Sequence, residues 1–73
     1  MTDPEKTERH PAVDHVLKYF SYTHLPPHLQ EISKGFYDLA IVTADRAPNN
    51  QETTVALRHL LQAKDCAVRA ALP

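Results

Sequence analysis

Apolar residues fall into three helical stripes along the chain, separated by two breaks. Val13, Val16, Leu17 and Phe20 stand at i, i+3, i+4 and i+7, the spacing of one helical face, and predict a short helix over 11–20. Pro11 suits its first position. A helix this short is marginal alone and must dock on something. Residues 20–27 read F-S-Y-T-H-L-P-P. Pro26 drives Leu25 out of the α region and Pro27 does the same to Pro26, so an extended joint follows. The second helix starts at Pro26 or Pro27 and runs to about Asp45, with Leu29, Ile32, Phe36, Leu39, Ala40 and Thr43 as its apolar stripe. Gly35 inside it costs ~1 kcal/mol against alanine, which close packing or ligand approach would explain. Residues 46–50, R-A-P-N-N, break the pattern. Asn49 with Glu52 three residues later reads as a capping box for a third helix from about Asn50 to Leu72. Leu57, Leu60, Leu61, Val68, Ala71 and Leu72 share one face of it.

The fold class predicted is all-α: a short N-terminal helix followed by an antiparallel helical hairpin. The short loop between two helices of about 27 and 33 Å demands the antiparallel arrangement. Residues 11–73 form this single domain. Residues 1–10 are expected to be a flexible tail, because the first nine carry almost no apolar groups. A second face, formed by Val55, Ala56, Ala63, Ala67 and Ala70, is left without cover inside one chain. A chain of 73 residues with a single cysteine has a small core and no internal staple. Both observations point to a homo-oligomer.

Composition narrows the function classes. The formal net charge is −1 and the pI about 6.5, without the basic excess of a general binder of DNA or RNA duplexes. A single glycine excludes a Gly-rich phosphate loop. No apolar run approaches a membrane span, no signal-peptide core stands near Met1, and Cys66 is unpaired. A soluble intracellular protein is expected.

Catalytic chemistry finds little support. Ser21 and Ser33 lie in no nucleophile motif. Asp14, Glu31, Asp38, Asp45 and Asp65 are scattered, without the convergence that metal-assisted hydrolysis needs. His24 and His28 are four apart, but Pro26 and Pro27 between them spoil a helical metal pair; the imidazoles read as exposed or hydrogen-bonded. No metal and no cofactor is expected. Cys66 reads as a small packed residue rather than a reactive thiol. Lys64 lies on the apolar face of the last helix. Either its stem packs while its ammonium reaches the edge, or it sets a cation at a seam between chains for an anion to meet. Tyr22, on the proline-flanked joint, is either a stacking platform for a base or a tyrosine bridging core and surface.

The strings F-S-Y-T-H-L-P-P-H-L-Q (20–30), F-Y-D-L-A (36–40) and E-T-T-V-A-L-R-H-L-L-Q-A-K-D-C-A-V-R-A-A-L (52–72) resemble the anti-CBASS/anti-Thoeris hairpin domain of phage-type cyclic-nucleotide sponges. The resemblance covers roughly 14–72. Its most specific parts are the F-x-Y-x-H-x-P joint and the E-x-T-x-A-L-x-x-L opening of the last helix. It implies a protein that is not an enzyme. It would assemble as a hexamer, bind cyclic di- or trinucleotides without cleaving them, and keep these messengers from defence effectors in the cytoplasm of a bacterial host. The family's tyrosine stacks on a base, which falls on Tyr22; His24 belongs to the same motif. The family's phosphate lysine falls on Lys34, the only lysine of the first long helix, although it precedes the Leu39–Ala40 pair by more than the family spacing and Tyr37 stands nearer. The family's trinucleotide site uses an arginine, for which Arg58 and Arg69 are the candidates. The alternative is a small helical oligomerisation or protein-interaction module with no nucleotide ligand.

Overall fold

The computed structural model describes residues 10–72, and these form three α-helices with no strand among them. Helix α1 spans Pro11–Leu17 and continues into a 3₁₀ turn, Lys18–Phe20. Helix α2 spans Pro27–Arg46 and α3 spans Gln51–Ala70. The all-helical class and the hairpin of two long helices are as the periodicity predicts.

The first helix is shorter than 11–20, because its last turn tightens to 3₁₀ and delivers Phe20, 0% exposed, into the core. His10, assigned from sequence to the tail, is its N-cap: its Nδ1 accepts from the Ala12 backbone N–H at 3.0 Å. Residues 1–9 of that expected tail lie outside the described residues.

The core is the seam where α1 lies against the hairpin. Val13, Val16, Leu17 and Phe20 meet Ala40 of α2 and Leu57 of α3, with Phe36, Tyr37, Ile41, Ala44, Leu60 and Leu61 half-buried around them. Burying such side chains contributes about 1.5–3 kcal/mol each, and this is what lets a seven-residue helix persist.

The inward face of α2 differs from the predicted stripe. Leu29, Ser33 and Ala40 are buried, whereas Leu39 is 51% exposed. With only α1 and α3 to cover it, α2 buries a narrow line at i, i+4 and i+11, and Leu39 falls outside that line. Ser33 Oγ is fully buried and finds no hydrogen-bond partner among the described residues. Of the two explanations offered for Gly35, close packing finds no support among the described residues: a Cβ there would meet no atom within 4 Å beyond its own helix backbone.

The loop is held by side chains. Asn50, not Asn49, caps α3, its Oδ1 accepting from the backbone N–H of Glu52 at 2.9 Å and of Thr53 at 3.3 Å. Asn49 is engaged elsewhere: its Oδ1 accepts from the His10 backbone N–H at 3.2 Å and ties the start of α1 to the loop. Buried Thr53 donates its hydroxyl to the Pro48 carbonyl.

Candidate functional site

The joint between the 3₁₀ turn and α2 shapes the site. Pro26 caps α2 without a side-chain acceptor, and Gln30 one turn later reaches back instead. Its Nε2 donates to the Leu25 carbonyl at 2.7 Å and to the Thr23 carbonyl at 3.4 Å. These two bonds bracket His24 and fix the joint against the helix. The joint passes beside the last turns of α3, and a groove of about 320 Å³ opens between them.

Four basic side chains line this groove: Lys18 of the 3₁₀ turn, His24 of the joint, and Lys64 and Arg69 of α3. Leu25 and Val68 supply apolar lining, and Asp65 adds a carboxylate. Lys64 has its stem packed, with the side chain only 12% exposed, and its Nζ pairs with Asp65 Oδ1 at 3.1 Å. The packed stem fits the snorkelling arrangement, and within the single chain the cation lines this groove. Arg69 Nη2 donates to Cys66 Sγ at 3.5 Å. Cys66 itself is exposed, contrary to the packed residue expected, because the helix turns it away from the hairpin seam.

A second depression, of about 360 Å³, adjoins the first and shares Lys18 and Ser21 with it. Its lining includes Tyr22 and Tyr37. Their rings stand edge to face, centroids 5.5 Å apart and planes at 66°. This arrangement locks two half-buried phenols from the joint and from α2 against each other. Tyr22 therefore bridges core and surface while offering an aromatic wall to the depression.

Lys34 stands on the exposed surface of α2. Its ammonium bonds Asp38 Oδ2 at 2.8 Å, and that hydrogen bond, with the carboxylate's charge, holds the Lys34 pKa above its ordinary value. The Tyr22 phenol acts weakly in the same direction, but Lys34 lines neither depression. The pair is exposed, in the less favourable lysine-first order at i, i+4, and is readily given up for another anion.

Of the seven residues singled out from sequence, five line the two adjoining depressions: His24, Lys64 and Arg69 in the groove, Tyr22 and Tyr37 in its neighbour. Lys34 lines neither and is held by Asp38 on the exposed surface of α2. Arg58 does not join them. It lines a separate depression near the start of α3 with His10, Asn49 and Gln51. Lys18 was missed, although it is the cation common to both depressions. Its signal was its place immediately before the Tyr19–Tyr22 aromatic cluster, one turn from the joint.

Chemically, the surface offers charge-assisted donors beside aromatic rings. Such donors suit phosphate oxygens, and the rings suit a flat base. Among the described residues no three His, Cys, Asp or Glu side chains converge to hold a metal ion, and no helix is long and apolar enough to cross a membrane. Comparison of the chain with family models, curated proteins and solved structures found no match.

Proposed function

We propose that this protein sequesters cyclic di- or trinucleotide messengers without cleaving them, and so antagonises CBASS- or Thoeris-type antiphage signalling in the cytoplasm of a bacterial host. The observation that carries this reading is the shared Lys18–Ser21 wall between a cationic groove and a tyrosine-lined depression. A cyclic dinucleotide is a rigid ring with two phosphates and two flat bases. In the proposed mode one phosphate meets Lys64 and Arg69 in the groove, and a base stacks on Tyr22 on the other side of the Lys18–Ser21 wall. The order of the F-x-Y-x-H-x-P and E-x-T-x-A-L-x-x-L segments supports the same reading.

In the proposed assembly several copies of the chain pack together, with the hexamer favoured by the family resemblance. Leu39, Val42, Val55 and Leu72 are exposed apolar side chains that such packing would cover. These same side chains favour the second reading, a helical interaction module with no nucleotide ligand.

A thermal-shift panel separates the two. It contains cyclic di-AMP, cyclic di-GMP, both cyclic GMP–AMP linkages, cyclic tri-AMP and cyclic ADP-ribose isomers, with Tyr22→Ala and Arg69→Ala beside the native chain. A ligand at a hundred times its Kd stabilises the fold by about 2.7 kcal/mol. That is a shift of roughly ten degrees or more for a domain this small. The expected result is such a shift with one ligand class, reduced in both variants. An unmoved melting curve throughout, with the protein still oligomeric, leaves the interaction module.

A further inference from the structure

Among the described residues, Asp65 is the one acid lining a groove whose other charged or ionisable members are Lys18, His24, Lys64 and Arg69. It already holds the most enclosed of these cations, at 3.1 Å from Lys64 Nζ. Adjacent positions on a helix do not ordinarily face each other. This pair forms because both side chains turn into the same groove. Asp65 is 45% exposed where Lys64 is 12% exposed, so the carboxylate can swing out to water while the ammonium stays. With the Lys64 stem packed, its ammonium has little freedom to leave the groove and keeps an anion within 3.1 Å.

We infer that Asp65 is the resident counter-ion of the groove: an entering phosphate takes its place on Lys64 Nζ, and this exchange sets which anions the groove accepts. The inference rests on the proposed binding of a phosphate-bearing ligand at this surface. A singly charged anion that replaces Asp65 restores only the charge that left. An anion with a second negative group also engages Lys18 and Arg69. Lys18, Lys64 and Arg69 set three fixed positive charges in the lining against the Asp65 carboxylate, an excess of two while Asp65 remains, His24 left aside. The groove therefore discriminates in favour of anions carrying two or more phosphate groups, and Asp65 is the specificity-determining residue.

The test compares inorganic phosphate, inorganic pyrophosphate and cyclic di-AMP on the native protein, Asp65→Asn and Lys64→Gln/Asp65→Asn. The expected results for Asp65→Asn are a lower Tm without anion, about tenfold tighter pyrophosphate binding, and a narrower gap between pyrophosphate and phosphate. With Lys64 also replaced, the gain in affinity disappears, as a direct coupling between the two residues requires. If Asp65→Asn fails to fold, the native protein still reports: the Asp65 carboxyl ¹³C resonance moves on pyrophosphate addition. Unchanged or weaker pyrophosphate binding in Asp65→Asn, an unmoved carboxyl resonance, or no pyrophosphate binding to any form overturns the inference. Cyclic di-AMP binding lost in Tyr22→Ala, with Asp65→Asn without effect, would overturn the exchange and leave the messenger reading standing. The exchange with pyrophosphate but no binding of cyclic di-AMP would do the reverse.

Discussion

Gly35 shows how a single residue can be at odds with its own chain. It sits inside a 20-residue helix, exposed, with nothing within 4 Å of where a Cβ would point. Glycine there costs backbone entropy and returns no packing within the protomer. Gly35→Ala is expected to raise stability by about 0.5–1 kcal/mol, seen as a higher Tm of the dilute protein. A fall in Tm that appears only at high protein concentration would mean that another copy comes up close against the helix at this point. At the same scale, sequence and structure part company in instructive places. The Asn49–Glu52 spacing matched a capping box, yet Asn49 bonds a backbone 39 residues away and Asn50 takes the cap. Local spacing carries no information about a competing partner from α1. Leu39 and Ser33 exchange roles for a related reason: which side of α2 is covered depends on the neighbours, and both sides were periodic enough to qualify.

At the scale of elements the helices were legible and the joint was not: it is predicted extended, yet the Leu25 N–H donates to the Tyr22 carbonyl at 3.0 Å and folds residues 22–25 into a turn. Three apolar stripes, the Pro26–Pro27 start and the short loop before Gln51 predicted three helices and their order, because each signal is local and repeated. The end of α1 was less so: the 3₁₀ tightening follows from Phe20 entering the core, a tertiary demand. The site was half legible. Tyr22, His24, Lys64 and Arg69 were singled out one by one, by motif or by place on a face. The groove, however, joins the 3₁₀ turn, the joint and the last turns of α3. No periodicity reports a surface built from segments so far apart in the chain, and Lys18 was lost for that reason. The loop also supplies a test. Asn50 is the only side chain seen accepting from the first N–H groups of α3 among the described residues. Asn50→Ala is therefore expected to cost about 1 kcal/mol, in the range 0.5–2, measured by urea denaturation with an unchanged m-value. Because the cap lies at the opposite end of α3 from Lys64 and Arg69, ligand affinity per folded molecule is expected to stay the same.

For the whole molecule, the balance of core against surface is the governing fact. Six fully or nearly buried apolar side chains form one small cluster, while Leu39 and Val42 on α2 stand about half exposed at 51% and 49%. A domain of this size is marginal when alone. In the proposed assembly, stability is shared between copies, so Tm is expected to rise with protein concentration. Leu39→Lys and Val42→Glu are expected to abolish that dependence and to leave a monomer in sedimentation velocity, with α-helical circular dichroism retained under cool, dilute conditions. A Tm independent of concentration in the native chain would place the exposed side chains outside any self-contact.

The placement of the tyrosines has an optical consequence. The chain has three tyrosines and no tryptophan. Tyr19 lines the cationic groove, and Tyr22 and Tyr37 line its neighbour. Every strongly absorbing and emitting side chain thus belongs to the candidate site, and no distant indole masks it. Near-ultraviolet dichroism and phenol emission become a built-in gauge of what happens at that surface. They need no dye, and they stay silent to changes at the loop end of the hairpin.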